Sequence, residues 1–199
     1  VMSNTAWFRY EWIWEKSLAT GYLNCNRSPM KAHEAICVFS ENGHTYNPQK
    51  NKGAAYRATR GAVGDHVRDK TVGGHETVNN GSRFPRSVLW FNGEIDTSHG
   101  TQKPVALYEY LVRTYTNEGD IVLDFCFGSC TTGVACLRTG RKFIGGEKEE
   151  RYFNIGVERM KTAQMQRPLP LSLCDKTDTA TPSYQERLLD LPSQSPEKA

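Results

Sequence analysis

The chain has 199 residues, enough for one sizeable core and too few for two large ones. Hydrophobic residues make up 38%, an ordinary share for a globular protein, and no apolar run approaches the ~20 residues that cross a bilayer. A net charge of +3 is compatible with a nucleic-acid partner but does not demand one.

The first 14 residues lack a basic stretch followed by an apolar run, so a secretion signal is not expected and the protein is placed in the cytoplasm. Six cysteines (25, 37, 126, 130, 136 and 174) then read as reduced thiols. Their spacing, with no nearby histidine, does not suit zinc.

Residues 7–15 alternate with period 2. Phe8, Tyr10, Trp12 and Trp14 fall on one face and Arg9, Glu11, Ile13 and Glu15 on the other, which predicts a strand whose aromatic face is core. A loop over 19–33 leads to a second strand at 35–39. Residues 41–86 hold seven glycines, eight Lys or Arg and four acids with almost no apolar periodicity, and read as a long irregular insertion. Strand character returns at Arg86–Phe91.

Pro104 opens an amphipathic helix with Leu107, Leu111 and Tyr115 on one face. Asn117 to Asp120 form a turn. Ile121–Phe125 is an apolar strand carrying Asp124 at its end. A helix from about Thr131 to Arg138 stops at Gly140, a strand follows over 142–147, and a helix over about 149–163. From 164 onward, prolines and polar residues predict a disordered tail.

Residues 121–147 thus form strand, glycine turn, helix and strand, a βαβ unit whose ligands sit at the carboxyl ends of its strands. Asp124 and Glu147 occupy those ends, 23 residues apart. Two such acids suit a ligand with a cationic amine and a ribose diol. The turn has Cys130 where a dinucleotide fingerprint has its second glycine, which disfavours a nicotinamide or flavin and favours a phosphate-free nucleoside. Lys103, at a helix start, faces an unfavourable dipole that a bound carboxylate would offset; an exposed, solvated lysine is the plainer alternative.

The order Thr101-Gln102-Lys103-Pro104, then Asp124 with Gly128-Ser129-Cys130-Thr131-Thr132, then Ile144-Gly145-Gly146-Glu147, resembles the circularly permuted beta-class amino-methyltransferases of DNA. The resemblance runs from about Trp7 to Met160. It includes Tyr10–Lys16, Ala32–Glu34, Tyr46–Gln49 and Pro85–Val88, which are similar to phage and prophage members.

The resemblance implies an α/β, Rossmann-like methyltransferase fold, permuted and incomplete, with a mixed sheet and helices on both faces. It implies methyl transfer from S-adenosyl-L-methionine to the exocyclic amino group of adenine in double-stranded DNA, as in restriction-modification. Cytosine is the alternative acceptor, and a non-catalytic cofactor- or DNA-binding remnant the alternative role. Residues 1–163 would be a partial catalytic domain, with 41–86 the target-recognition segment and 99–163 the cofactor half. Thr101, Gln102 and Lys103 would hold the methionine portion and Asp124 its ammonium. Phe125 and the turn of Gly128, Ser129 and Thr131 would lie against the cofactor, and Glu147 would take the ribose hydroxyls.

Arg27, Lys31 and Arg86, adjoining strand ends, are the expected DNA contacts; His33-Glu34 reads as a structural hydrogen-bonded pair. The family's catalytic tetrapeptide, Asp/Asn/Ser-Pro-Pro-aromatic, accepts the amine's hydrogens and stacks on a flipped base. It is absent: Asp190-Leu191-Pro192-Ser193 is the nearest match and ends in serine. No catalytic residue is assigned, the expectation being that a segment carrying the tetrapeptide is missing before Val1. A strand beside 121–125 would be missing with it, leaving an edge that favours a homodimer or aggregation.

Overall fold

The computed structural model describes residues 4–60, 63–65, 70–72, 75–93 and 102–166. Of these, residues 4–49 with 86–166 form one compact unit and 50–85 another. Among the described residues no helix is long and apolar enough to cross a membrane.

In the main unit β1 (Phe8–Thr20) pairs antiparallel with β2 (Lys31–Phe39) and parallel with β9 (Val88–Phe91). The hairpin is longer than its apolar residues suggest. β1 runs on through the exposed stretch Ser17–Thr20, and the connection holds a short 3-10 turn at Tyr22–Asn24. The alternation of β1 sets its burial: Trp12 and Trp14 are buried, whereas Arg9 and Glu11 are exposed.

Helix α1 (Val105–Tyr115) lays Leu107, Tyr108, Tyr110, Leu111 and Tyr115 on this tryptophan face. Trp12 donates its indole hydrogen to the Tyr115 hydroxyl (2.5 Å) and Trp14 to the Phe91 carbonyl (3.1 Å), so both polar edges are satisfied inside the core. The aromatic face is therefore core, as its periodicity predicts.

The remaining elements follow the expected βαβ order. β10 (Ile121–Asp124) and β11 (Lys142–Gly145) pair parallel in register, with Asp124 opposite Gly145. Between them α2 (Thr131–Thr139) ends at Gly140, whose φ of 74° is the left-handed conformation a helix stop needs. Helix α3 (Glu150–Met165) follows. Val112, Ala135 and Cys136 meet Val122 and Phe143 to fix α1 and α2 against this pair of strands; Val105, Val134 and Ala163 join α1, α2 and α3.

The unit at 50–85 is not irregular. It is a nested antiparallel ladder: β3 (Asn51–Lys52) with β8 (Ser82–Arg83), β4 (Tyr56–Arg60) with β7 (His75–Asn79), and β5 (Val63–Asp65) with β6 (Lys70–Val72). Its boundaries are also narrower than the expected 41–86, because residues 41–49 belong with the main unit. Asn47 ties them there, donating its side-chain amide to the Thr116 carbonyl (3.1 Å) while its backbone N–H reaches the Thr114 carbonyl (2.7 Å).

Candidate cofactor site

The N-terminus of α2 is where the predicted residues gather. Asp124, at the carboxyl end of β10, accepts the Thr132 hydroxyl on Oδ2 (2.5 Å) and the Cys126 N–H on Oδ1 (3.1 Å). Glu147, beyond β11, accepts the Gly128 N–H on Oε2 (2.8 Å) and the Glu149 N–H on Oε1 (3.0 Å). One acid thus anchors the first turn of α2, and the other clamps the glycine turn to the start of α3. Each oxygen of Asp124 has a second lone-pair direction, so these bonds orient that acid without exhausting it.

The turn closes through the Phe127 N–H to the Gly146 carbonyl (3.1 Å) and the Cys130 N–H to the Phe127 carbonyl (2.8 Å). Cys130 itself sits at φ 60°, ψ 38°, the single non-glycine left-handed residue among those described. That conformation costs an L-residue about 1–2 kcal/mol, a cost that a glycine in its place would avoid. The thiol is buried at 2% exposure, and burial pushes its pKa up to about 11.

Ser129 and Thr131 point into the protein. Both are buried, and Arg159 of α3 donates to the Ser129 carbonyl (2.5 Å), the Ser129 hydroxyl (2.9 Å) and the Thr131 hydroxyl (3.3 Å). They brace the turn from beneath. Phe125 is the opposite case: at 82% exposure its ring stands in solvent next to Asp124.

Of the upstream motif, Thr101 lies outside the described residues, Gln102 is half-buried, and Lys103 joins the site through its backbone, whose carbonyl accepts the Thr131 hydroxyl (3.4 Å). Its ammonium has a protein carboxylate as partner. Nζ lies 2.6 Å from Glu34 Oε2, and Lys16 Nζ lies 2.7 Å from the other oxygen, Oε1. The charge that the helix start disfavours is therefore offset within the chain. Glu34 pairs with two lysines and not with His33, because β2 sends the two side chains to opposite faces. Burial alone would raise the Glu34 carboxyl, but the hydrogen bonds and charges of Lys103 and Lys16 outweigh it and hold it below its ordinary value.

A cavity of about 330 Å³ lies elsewhere in the unit, lined by Ile36, Cys37, Val38, Phe39, His44, Leu111 and Tyr115. None of the predicted cofactor residues lines it; their arrangement rests on the hydrogen bonds around α2. The predicted DNA contacts are not one cluster. Arg27 and Lys31 are exposed near the hairpin end, where Thr20 pairs with Lys31. Arg86 lies near the amino end of β9, beside Ser87, whose carbonyl takes the Ile13 N–H (2.8 Å). Because β9 runs parallel to β1 with Val88 opposite Ile13, Arg86 stands level with Glu11, about 30 Å along the strand from Thr20. Sequence reasoning missed Lys16, Thr132 and Arg159 as members of the site. Thr132 carried a local signal, in the Thr-Thr that follows the turn, and the other two carried none.

Residues 2–158 match the family described as DNA methylase. The chain belongs to that family.

Members it is similar to include the DNA adenine methyltransferase YhdJ of Escherichia coli (strain K12), 38% identical over 108 residues, which are 54% of this chain and 36% of that protein. The type II methyltransferase M2.DpnII of Streptococcus pneumoniae is 46% identical over 63 residues, 32% of this chain and 24% of that one. Among solved structures, the M1.HpyAVI–SAM complex is 27% identical with a TM-score of 0.52, covering 76% of this chain and 61% of that one. The cytosine-N4-specific PvuII DNA methyltransferase, at 15% identity and a TM-score of 0.53 over 79% of this chain and 57% of that one, shares the fold. The α/β methyltransferase fold expected from the motifs is thus found, and the chain spans about a third or less of the curated relatives' length.

Proposed function

We propose that this DNA methylase family member binds S-adenosyl-L-methionine through the α2 N-terminus and serves methylation of the adenine amino group in DNA. The observation that carries the reading is the placement of Asp124 and Glu147. Both lie at carboxyl ends of parallel strands and both are held by hydrogen bonds to the same turn-and-helix start.

The donor set fits the cofactor. Asp124 matches an ammonium, Glu147 a pair of ribose hydroxyls, Lys103 a carboxylate, and the exposed ring of Phe125 the face of an adenine. When bound, the cofactor supplies an electrophilic methyl group. The chain's own residues orient it, the half-buried Arg159–Ser129–Thr131 contacts keeping the turn in one shape. Adenine is favoured over cytosine as acceptor because the 38%-identical relative is a DNA adenine methyltransferase.

Accepting the amine's hydrogens is the task of the tetrapeptide, which the chain does not contain. The transfer step therefore requires that segment from outside these 199 residues. The same observation favours a second reading, a cofactor- or DNA-binding remnant without transfer. Methylation of double-stranded DNA, assayed with and without a separately supplied tetrapeptide segment, separates the two.

Titration of the purified chain with labelled S-adenosyl-L-methionine and with NAD tests the cofactor. Binding of the first and not the second is expected. Asp124→Ala should abolish it while leaving circular dichroism unchanged; undiminished affinity in that variant would refute the assignment.

A further inference from the structure

We propose that Lys16 and Glu34 are positioning residues that hold Lys103 ready for the carboxylate of the methionine portion. The inference rests on the cofactor reading above and extends it to two residues on neighbouring strands.

Period-2 geometry brings the group together. Trp14 and Lys16 share one face of β1, Glu34 stands opposite Trp14 on β2, and Lys103, just before α1, reaches the same ring. Glu34 gives one oxygen to each lysine, Oε1 to Lys16 at 2.7 Å and Oε2 to Lys103 at 2.6 Å. Both ammoniums also lie over the Trp14 ring, 5.9 and 5.6 Å from its centroid.

Two consequences follow. A lysine head on its four-carbon stem normally loses considerable rotamer freedom when it binds an anion; here Glu34 and the ring have already removed much of it. Two cations also share one anion, so the cluster keeps a surplus charge of one. A lone Lys103–Glu34 pair would be neutral and would repel an arriving carboxylate about as much as attract it. Lys16 supplies the excess. An ammonium has three donors, and Glu34 takes one from Lys103, which leaves that head able to bond a second anion.

The test compares affinity for S-adenosyl-L-methionine with affinity for its decarboxylated analogue, which keeps the sulfonium, the ribose and the amine. Glu34→Gln and Lys16→Gln should each weaken the first by about ten-fold (about 1.4 kcal/mol) and leave the second unchanged. Lys16→Arg, which keeps the charge, should restore most of the loss. Equal weakening of both ligands would mark a merely structural role, and tighter binding in Glu34→Gln would mark Glu34 as a competitor; either result overturns the proposal.

A second measurement needs no cofactor. Reductive methylation of Lys103, followed by mass spectrometry, should run several-fold faster in Glu34→Gln than in the unaltered chain. Equal rates would show that Glu34 does not hold the lysine. Absence of any cofactor binding by the unaltered chain would instead defeat the functional reading, and the labelling rates would still decide whether Lys103 is held.

Discussion

A methyl group is enough to disturb the turn that carries the site. A Cβ added at Gly133 would lie 2.5 Å from the Cys130 sulfur and 2.6 Å from the Met160 sulfur. Both are far inside contact distance, and the thiol is buried. Alanine would normally favour a helix interior by about 1 kcal/mol over glycine, but overpacking in a filled core costs about 1–3 kcal/mol. Gly133→Ala is therefore expected to lower stability by about 1–2 kcal/mol in urea unfolding. The two residues touch, so the effects should not add. In a Cys130→Gly background the same substitution should cost clearly less, and a cost unaltered by that background would show that the clash is relieved elsewhere.

At the scale of elements, α3 contributes more than its apolar stripe. Arg159 makes three hydrogen bonds to the turn before α2, across about 30 positions of chain. Removing the guanidinium leaves buried oxygens of Ser129 and Thr131 with fewer partners, at about 1–3 kcal/mol. Arg159→Met, which keeps the stem volume, should lower the midpoint of thermal unfolding and weaken S-adenosyl-L-methionine binding together. Loss of stability with full affinity would mean that the turn holds its shape alone.

Such long-range bonds mark the limit of what the sequence made legible. The βαβ unit was readable because its signals are local: the apolar run 121–125, the acid at its end, and Gly140 where a helix must stop. The two acids at the strand ends were readable for the same reason. The ladder at 50–85 was not, because its pairs, such as Arg57 opposite Val78 and Thr59 opposite Glu76, show no buried face to impose alternation. Lys103 was read as facing a carboxylate of a bound ligand or solvent; its partner within the chain, Glu34, lies 69 positions away and no spacing rule joins them.

For the molecule as a whole, the β10–β11 sheet has one covered face and one bare face. Val122 and Phe143 pack toward α2, whereas Ile121, Leu123 and Ile144 are 60%, 66% and 56% exposed, with Phe125 alongside. Among the described residues β10 also has a strand partner on one side only. A bare apolar face beside an open strand edge promotes association. In size-exclusion chromatography the 22.5 kDa chain is expected to elute as an oligomer, and Leu123→Lys should shift it toward the monomer. A compact monomer of the unaltered chain at micromolar concentration would contradict this.

The ladder at 50–85 begins and ends on the same rung, Asn51 facing Arg83 and Lys52 facing Ser82. A strand pair of that kind enters and leaves the rest of the chain through two points about 5 Å apart. Its length can grow or shrink, and its surface residues can be replaced wholesale, without altering the distance that the flanking chain must bridge. Natural variation is thereby free to rewrite this arm while the buried tryptophans and Lys103 stay as they are.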